Sequence, residues 1–110
     1  MRCVFDCAEP VRVTDAEIAD HFYRIAQEAV NNALKHAVPS EIRIALEFSD
    51  HTLVLEVDDD GEGFDETAPA ADGIGLRVMR YRARLMEGDL GIGSPPAGGT
   101  RISCRVKLPL

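Results

Sequence analysis

Hydrophobic positions along this chain switch between a period of two and a helical period, and the switches predict its elements. Residues 3 to 7, CVFDC, alternate briefly before Ala8-Glu9-Pro10, which predicts a short edge strand. Thr14-Asp15-Ala16-Glu17 then reads as a capping box, the Thr14 hydroxyl and the Glu17 carboxylate each satisfying an open amide at a helix start. Ile18, Phe22, Ile25, Ala29 and Ala33 follow at helical spacing and Pro39 closes the segment, so a long amphipathic helix is expected over about residues 15 to 37. From Ile42 the period drops to two. Ile42, Ile44, Leu46 and Phe48 alternate with Arg43, Ala45 and Glu47, and beyond the polar turn Ser49-Asp50-His51-Thr52 the run Leu53-Val54-Leu55-Glu56-Val57 completes a hairpin with one buried face.

The pattern dissolves in DDDGEGFDETAPAADGIG and resumes as a second helix through Leu76, Met79, Ala83 and Met86, with Gly88 as its natural stop. Strands at Leu90 to Ile92 and Arg101 to Leu108, joined by Ser94-Pro95-Pro96-Ala97-Gly98-Gly99, close the chain. The expected fold is α+β: a two-layer sandwich with a mixed sheet of about five strands and helices on one face. Without an internal repeat or linker, residues 1–110 read as one domain.

Composition narrows the function. A chain of 110 residues, 45% hydrophobic and 28% charged, supports one globular core. Its net charge of -7 excludes the broad basic footprint of a nucleic-acid-binding protein. A phosphorylated ligand must therefore be held locally, by backbone amides, a metal or a few arginines. No apolar run reaches the length of a membrane span and the start MRCVFDCAEP lacks a signal peptide's apolar segment, so a cytoplasmic location is expected. Cys3, Cys7 and Cys104 suggest neither a disulfide framework nor a zinc site, and are expected to act as small buried hydrophobes. His21, His36 and His51 form no metal-ligand pair.

Four stretches could carry chemistry, each with a bland alternative. The glycines of Asp59-Asp60-Gly61-Glu62-Gly63-Phe64, after an apolar strand, would let a flat ligand approach the backbone while a carboxylate accepts from an exocyclic amine; the same residues also make an ordinary turn. Gly73-Ile74-Gly75-Leu76 opens a helix with bare amides suited to phosphate, although it matches neither the dinucleotide fingerprint nor the P-loop. Arg77, Arg80 and Arg84 make one face of that helix basic, for phosphates, for acidic neighbours or simply for solvent. In EAVNNALKHA, Glu28, Asn32 and His36 share one stripe of the first helix. A carboxylate and an amide oxygen one turn apart are hard ligands suited to magnesium, or polar packing at the edge of the core.

Taken in order, RIAQEAVNNALKHA, VDDDGEGF, GIGLRVMRYRARLMEG and IGSPPAGGT resemble the GHKL ATPase superfamily with its Bergerat fold. Within it they resemble most the catalytic domain of sensor histidine kinases of the nitrate-sensor type, over nearly the whole chain. The resemblance implies ATP and Mg²⁺ as cofactors. It makes Glu28 and Asn32 the catalytic candidates and Asn32 the metal ligand, with Lys35 and His36 near phosphate or ribose. Asp59 would accept from the adenine amino group and Thr100 would complete that contact. Gly61 and Gly63 would shape the adenine side, while Gly73, Gly75 and Leu76 would form the phosphate side at the hinge of a lid over roughly residues 64 to 76, mobile without nucleotide. Asp60 departs from the family's usual Asn and is expected to add negative charge at the pocket mouth. A phenylalanine-centred lid motif is missing, as is common in this subfamily.

The implied partners are a dimerisation domain carrying the phosphoacceptor histidine, which this chain lacks, and a response regulator downstream. The chain is then a C-terminal fragment, monomeric by itself, of a homodimeric kinase. An anti-sigma-type serine kinase and a non-catalytic nucleotide-binding module are the rival readings; a gyrase-type clamp would need a transducer domain and a longer lid.

Overall fold

The computed structural model describes residues 2–7, 15–36, 39–61, 74–96 and 98–108. Its elements in chain order are β1 (Arg2–Asp6), α1 (Ala16–His36), β2 (Glu41–Ser49), β3 (Thr52–Asp59), α2 (Ile74–Leu85), β4 (Asp89–Gly93) and β5 (Thr100–Lys107). The strands form one five-stranded sheet in the order β1-β2-β3-β5-β4. β1 runs parallel to β2 and the other neighbours pair antiparallel, so the sheet is mixed, as expected. Between β2 and β3 the turn is only Asp50-His51, both with positive φ (51° and 59°), the left-handed pair that matches the twist of a tight hairpin.

Both helices lie on one face. The apolar stripe of α1, through Phe22, Ile25, Ala29 and Ala33, meets Ile42, Leu53, Leu55 and Val57 on the strands. Leu76, Met79 and Ala83 of α2 join Ile102, Cys104 and Val106 in the same core. Gly75 of α2 abuts Glu28 and Asn32 of α1, while Arg82, two turns on, reaches back to His21, so the helices run antiparallel.

Local chemistry differs from the sequence reading at three points. The N-cap of α1 is Asp15, whose Oδ1 accepts from the amides of Glu17 (2.9 Å) and Ile18 (3.2 Å); Thr14, expected in that role, lies outside the described residues. At the end of α2 the left-handed residue is Glu87 (φ 56°), not Gly88. The Gly88 amide donates to Ala83 O (2.8 Å) and the Glu87 amide to Arg84 O (3.0 Å), the paired bonds of a Schellman cap. Gly88 is required for space instead, since a Cβ there would stand 2.6 Å from Val106 Cγ2 and 2.7 Å from Arg105 O. Finally, of the cysteines expected inside, Cys104 is fully buried and its thiol pKa is raised to about 11 by burial, whereas Cys3 is exposed because β1 lies at the sheet edge, beyond the cover of α1.

Ile25 has no exposed surface and lies where α1 meets the sheet. Ile25→Ala should cost about 2–5 kcal/mol, the range for emptying a rigid aliphatic site, measured as a lower urea midpoint with unchanged slope. A loss below about 1 kcal/mol would mean that the helix layer is loosely packed.

Candidate functional site

The chain's own connectivity gathers the candidate residues at one end of the molecule. α1 runs toward that end and leads through residues 37 to 40 into β2, whose Ile42 is in register with Asp59 at the end of β3. Asp59 in turn stands directly opposite Thr100, the first residue of β5, and α2 begins there because it is antiparallel to α1. Two groups result.

The first surrounds Asp59. This carboxylate is buried (7% exposed) and so is Thr100 (8%), an unusual pair at the edge of an apolar core. Asp59 Oδ1 accepts from the Gly61 amide at 2.8 Å, a local turn that holds the carboxylate still. Its other oxygen, Oδ2, has no hydrogen-bond partner among the described residues. A carboxylate oxygen not used by the described residues is suited to an N–H or O–H from outside. Gly99 makes the close approach possible. Its φ is +92°, and a Cβ there would overlap the Asp59 carbonyl oxygen and come within 2.8 Å of its carbon. The composition-based reading did not single out Gly99, although Gly98-Gly99-Thr100 carried the signal.

The second group lies between the helices. A Cβ at Gly75 would overlap the Glu28 carboxylate and stand 3.0 Å from Asn32 Oδ1, so both oxygens face the bare backbone of the first turn of α2. Lys35 continues their stripe on α1 and is exposed. Asn32 is half-buried beside Gly75, whereas its neighbour Asn31, a hundred degrees around the helix, is exposed. Leu76 is buried in the core, so what it can present to a ligand is its backbone amide. His36 closes α1 and its side chain lies outside the described part, as do Gly63, Gly73 and the expected lid up to residue 73.

The donor set is consistent with magnesium shared with a phosphate. Among the described residues no three His, Cys, Asp or Glu side chains form a self-sufficient metal cage. Glu28 and Asn32 both bring a hard oxygen to the start of α2, a pair that would leave coordination places for the water and phosphate oxygens that Mg²⁺ retains.

Asp60 corrects the sequence reading. Its Oδ1 accepts from the amides of Ser40 (2.8 Å) and Glu41 (2.9 Å), and its Oδ2 from the Ser40 hydroxyl (2.5 Å). These bonds hold its carboxyl pKa below the usual range, the Ser40 hydroxyl contributing most. The charge is thus directed at the start of β2, where it ties β3's end to the segment that follows α1.

A family model described as histidine kinase-, DNA gyrase B- and HSP90-like ATPase matches residues 17–110. The chain belongs to this family. It is 36% identical over 93 residues to the nitrate/nitrite sensor protein NarX of Escherichia coli (strain K12), covering 84% of this chain but only 16% of that protein. In structure it resembles the blue-light activated histidine kinase EL346 of Erythrobacter litoralis, with a TM-score of 0.81 at 23% identity over 97% of this chain and 37% of that one. The ATP binding domain of PrrB from Mycobacterium tuberculosis gives a TM-score of 0.72 at 23% identity, over 83% of this chain and 69% of that one. The five-stranded mixed sheet with two helices on it is therefore the GHKL fold, as the resemblance implied.

The two glycines should respond differently to alanine. In Gly99→Ala the added carbon meets backbone at positive φ, which should destabilise the fold by at least about 1–3 kcal/mol in chemical denaturation. In Gly75→Ala it meets the movable end of Glu28, so stability should hold while the carboxylate is displaced. Equal losses of stability would refute the distinction. For Asp60→Ala, the pH profile is the measurement. A depressed folded pKa contributes stability above the unfolded carboxylate value and loses it as pH falls through the folded value. The variant should be less stable at neutral pH and converge with the parent in acid; a constant gap would mean that the charge is irrelevant.

Proposed function

We propose that this chain is the catalytic, ATP-binding domain of a two-component sensor histidine kinase. It binds Mg-ATP and donates the γ-phosphate to a histidine on a dimerisation domain, which passes it to a response regulator. The observation that carries this reading is the buried Asp59, with one oxygen held by Gly61 and the other unused by the described residues, opposite Thr100 and at the same end of the fold as the Glu28–Asn32–Gly75 group. Membership in an ATPase family and the likeness to NarX support it.

In this reading Asp59 Oδ2 accepts from the adenine amino group and the Thr100 hydroxyl stands beside it, with water able to complete the contact. Gly61 keeps the carboxylate aimed, and Gly63 shapes the same side. Asn32 holds the metal through Oδ1 with Glu28 beside it, while Lys35 and His36 lie toward phosphate or ribose. Gly75 and Leu76 offer backbone amides at the start of α2, where the dipole favours negative charge, and Gly73 is assigned to the same phosphate side. Mg²⁺, when bound, neutralises part of the triphosphate charge. Phosphoryl transfer asks the protein chiefly for position and charge stabilisation, and the acceptor imidazole arrives from another domain. The chain by itself should therefore bind ATP and transfer little. The parent kinase acts as a homodimer through its dimerisation domain, with this domain on the cytoplasmic side. A non-catalytic module would be expected to have lost a metal or adenine group, and Asn32, Asp59 and Thr100 are all present.

Asp59→Asn should weaken ATP binding about 10–100-fold by calorimetry, since it turns a charged acceptor partly into a donor. Asn32→Ala should remove the magnesium dependence of binding while Asn31→Ala leaves it intact. Full affinity in the first variant, or a persisting metal effect in the second, would contradict the assignments.

A further inference from the structure

The arginines of the described chain fall into two populations. Arg2, Arg24, Arg43, Arg82 and Arg101 each lie within 4.0 Å of a carboxylate. Arg105 on β5 and, on α2, Arg77, Arg80 and Arg84 are exposed and have no ion-pair partner among the described residues, although the protein carries a net charge of -7; the three on α2 lie together. At about 100° per residue they stand roughly 140–180° around α2 from Gly75, on the flank turned away from α1. There they line a groove of about 470 Å³ between α2 and β4, with Ala83 and Leu90 in its wall and the single carboxylate Asp89 at its β4 side. Arg77 is in the first turn of α2, where the helix dipole disfavours a cation and the turn itself carries no acidic residue. That placement is unfavourable for the isolated helix and is relieved by an anionic partner.

We propose that this groove seats an acidic, apolar-tipped segment of the protein that accepts the phosphate, its carboxylates pairing with Arg77, Arg80 and Arg84 and an apolar side chain resting on Ala83 and Leu90. The inference rests on the kinase reading for the partner's identity and on the groove itself for the partner's chemistry. Charge complementarity selects an acidic occupant. The mixed lining selects a protein over a free anion, which would leave the apolar wall uncovered. Position supplies the function: Arg77 is two residues from Gly75, a rise of about 3 Å, so a segment held here lies next to the end of the fold where the triphosphate would bind. The nucleotide would then use the α1 flank of α2 and the accepting protein the β4 flank.

The test uses the chain, its Arg80→Glu/Arg84→Glu variant and two synthetic amphipathic helical peptides, one of Glu and Leu, the other of Lys and Leu. Amide resonances of the isotope-labelled chain should shift saturably with the Glu peptide at Arg77, Arg80, Arg84 and Leu90, weaken with added salt, and ignore the Lys peptide. The variant should lose that binding by at least about tenfold while a fluorescent ATP analogue binds it as before. With the dimerisation domain supplied and labelled ATP, the same variant should show a raised KM for the acceptor. No saturable shift, equal response to both peptides, or a parallel loss of nucleotide affinity would overturn the proposal, the last by assigning the arginines to the nucleotide site. Groove binding by a parent chain that phosphorylates no histidine would sink the kinase reading and leave the groove as an acidic-protein site.

Discussion

The register of β3 on β5 is the constraint on which the candidate site depends. It sets Asp59 opposite Thr100 on the core face and, one step back, Asp58 opposite Arg101 on the other face. Arg101 Nε and Nη2 donate to the two Asp58 oxygens at 2.8 Å each, and this pairing raises the guanidinium pKa. Because side chains alternate, a slip of one residue would turn Asp58 inward, expose Asp59 and break the fork. Both partners of the fork are partly exposed, so its contribution to stability is modest. What it adds is discrimination. Leu55 opposite Cys104 and Val57 opposite Ile102 supply the cohesion, and the Asp58–Arg101 pair makes the neighbouring registers unfavourable.

The helix layer meets that sheet end under a different restriction, the absence of side chain. Gly75 lets the first turn of α2 come against Glu28 and Asn32, where any β-carbon would displace the carboxylate. Two turns away the same helix pair is joined by polar contact, Arg82 Nη1 lying 3.1 Å from His21 Nδ1 and 4.0 Å from Asp20 Oδ2. One end of the interhelix seam is thus tied and the other is left bare. A polar seam open at a helix start is a poor way to build a core and a good way to leave oxygens and amides for a ligand.

The elements and the core were legible in the sequence because each rests on a local period. Phe22, Ile25 and Ala29 need only helical spacing, and Leu53, Leu55 and Val57 only alternation. The pairing of Asp59 with Thr100 was legible only through a likeness of whole motifs, since forty residues of chain separate them and no periodicity links the two. Asp60 was misread for the same reason. Its bonds to Ser40 and Glu41 span the hairpin, and from the sequence it is one more acid in an acidic loop. The capping details were missed for a subtler cause. Asp15 competes with Thr14, and Glu87 takes the left-handed position because Gly88 is needed against Val106 and Arg105, a demand that exists only once β5 is in place.

Charge distribution completes the division of the molecule. Among the described residues, several arginines are engaged with carboxylates along α1 and across the sheet: Arg24 with Asp20, Arg2 and Arg43 with Glu41, Arg101 with Asp58. With those arginines engaged, the α2 flank that faces β4 stands out as a basic surface within an acidic protein. Exposed pairs contribute little to folding, so their arrangement is better understood through what they leave uncompensated. Around the start of α2 this yields two environments with different chemistry: backbone and hard oxygens toward α1, and, above an apolar wall toward β4, guanidinium groups without an ion-pair partner among the described residues. A single ligand that used both would have to wrap the helix. Two ligands, one on each flank, would meet at its N-terminus, the geometry that the proposed phosphoryl transfer would need.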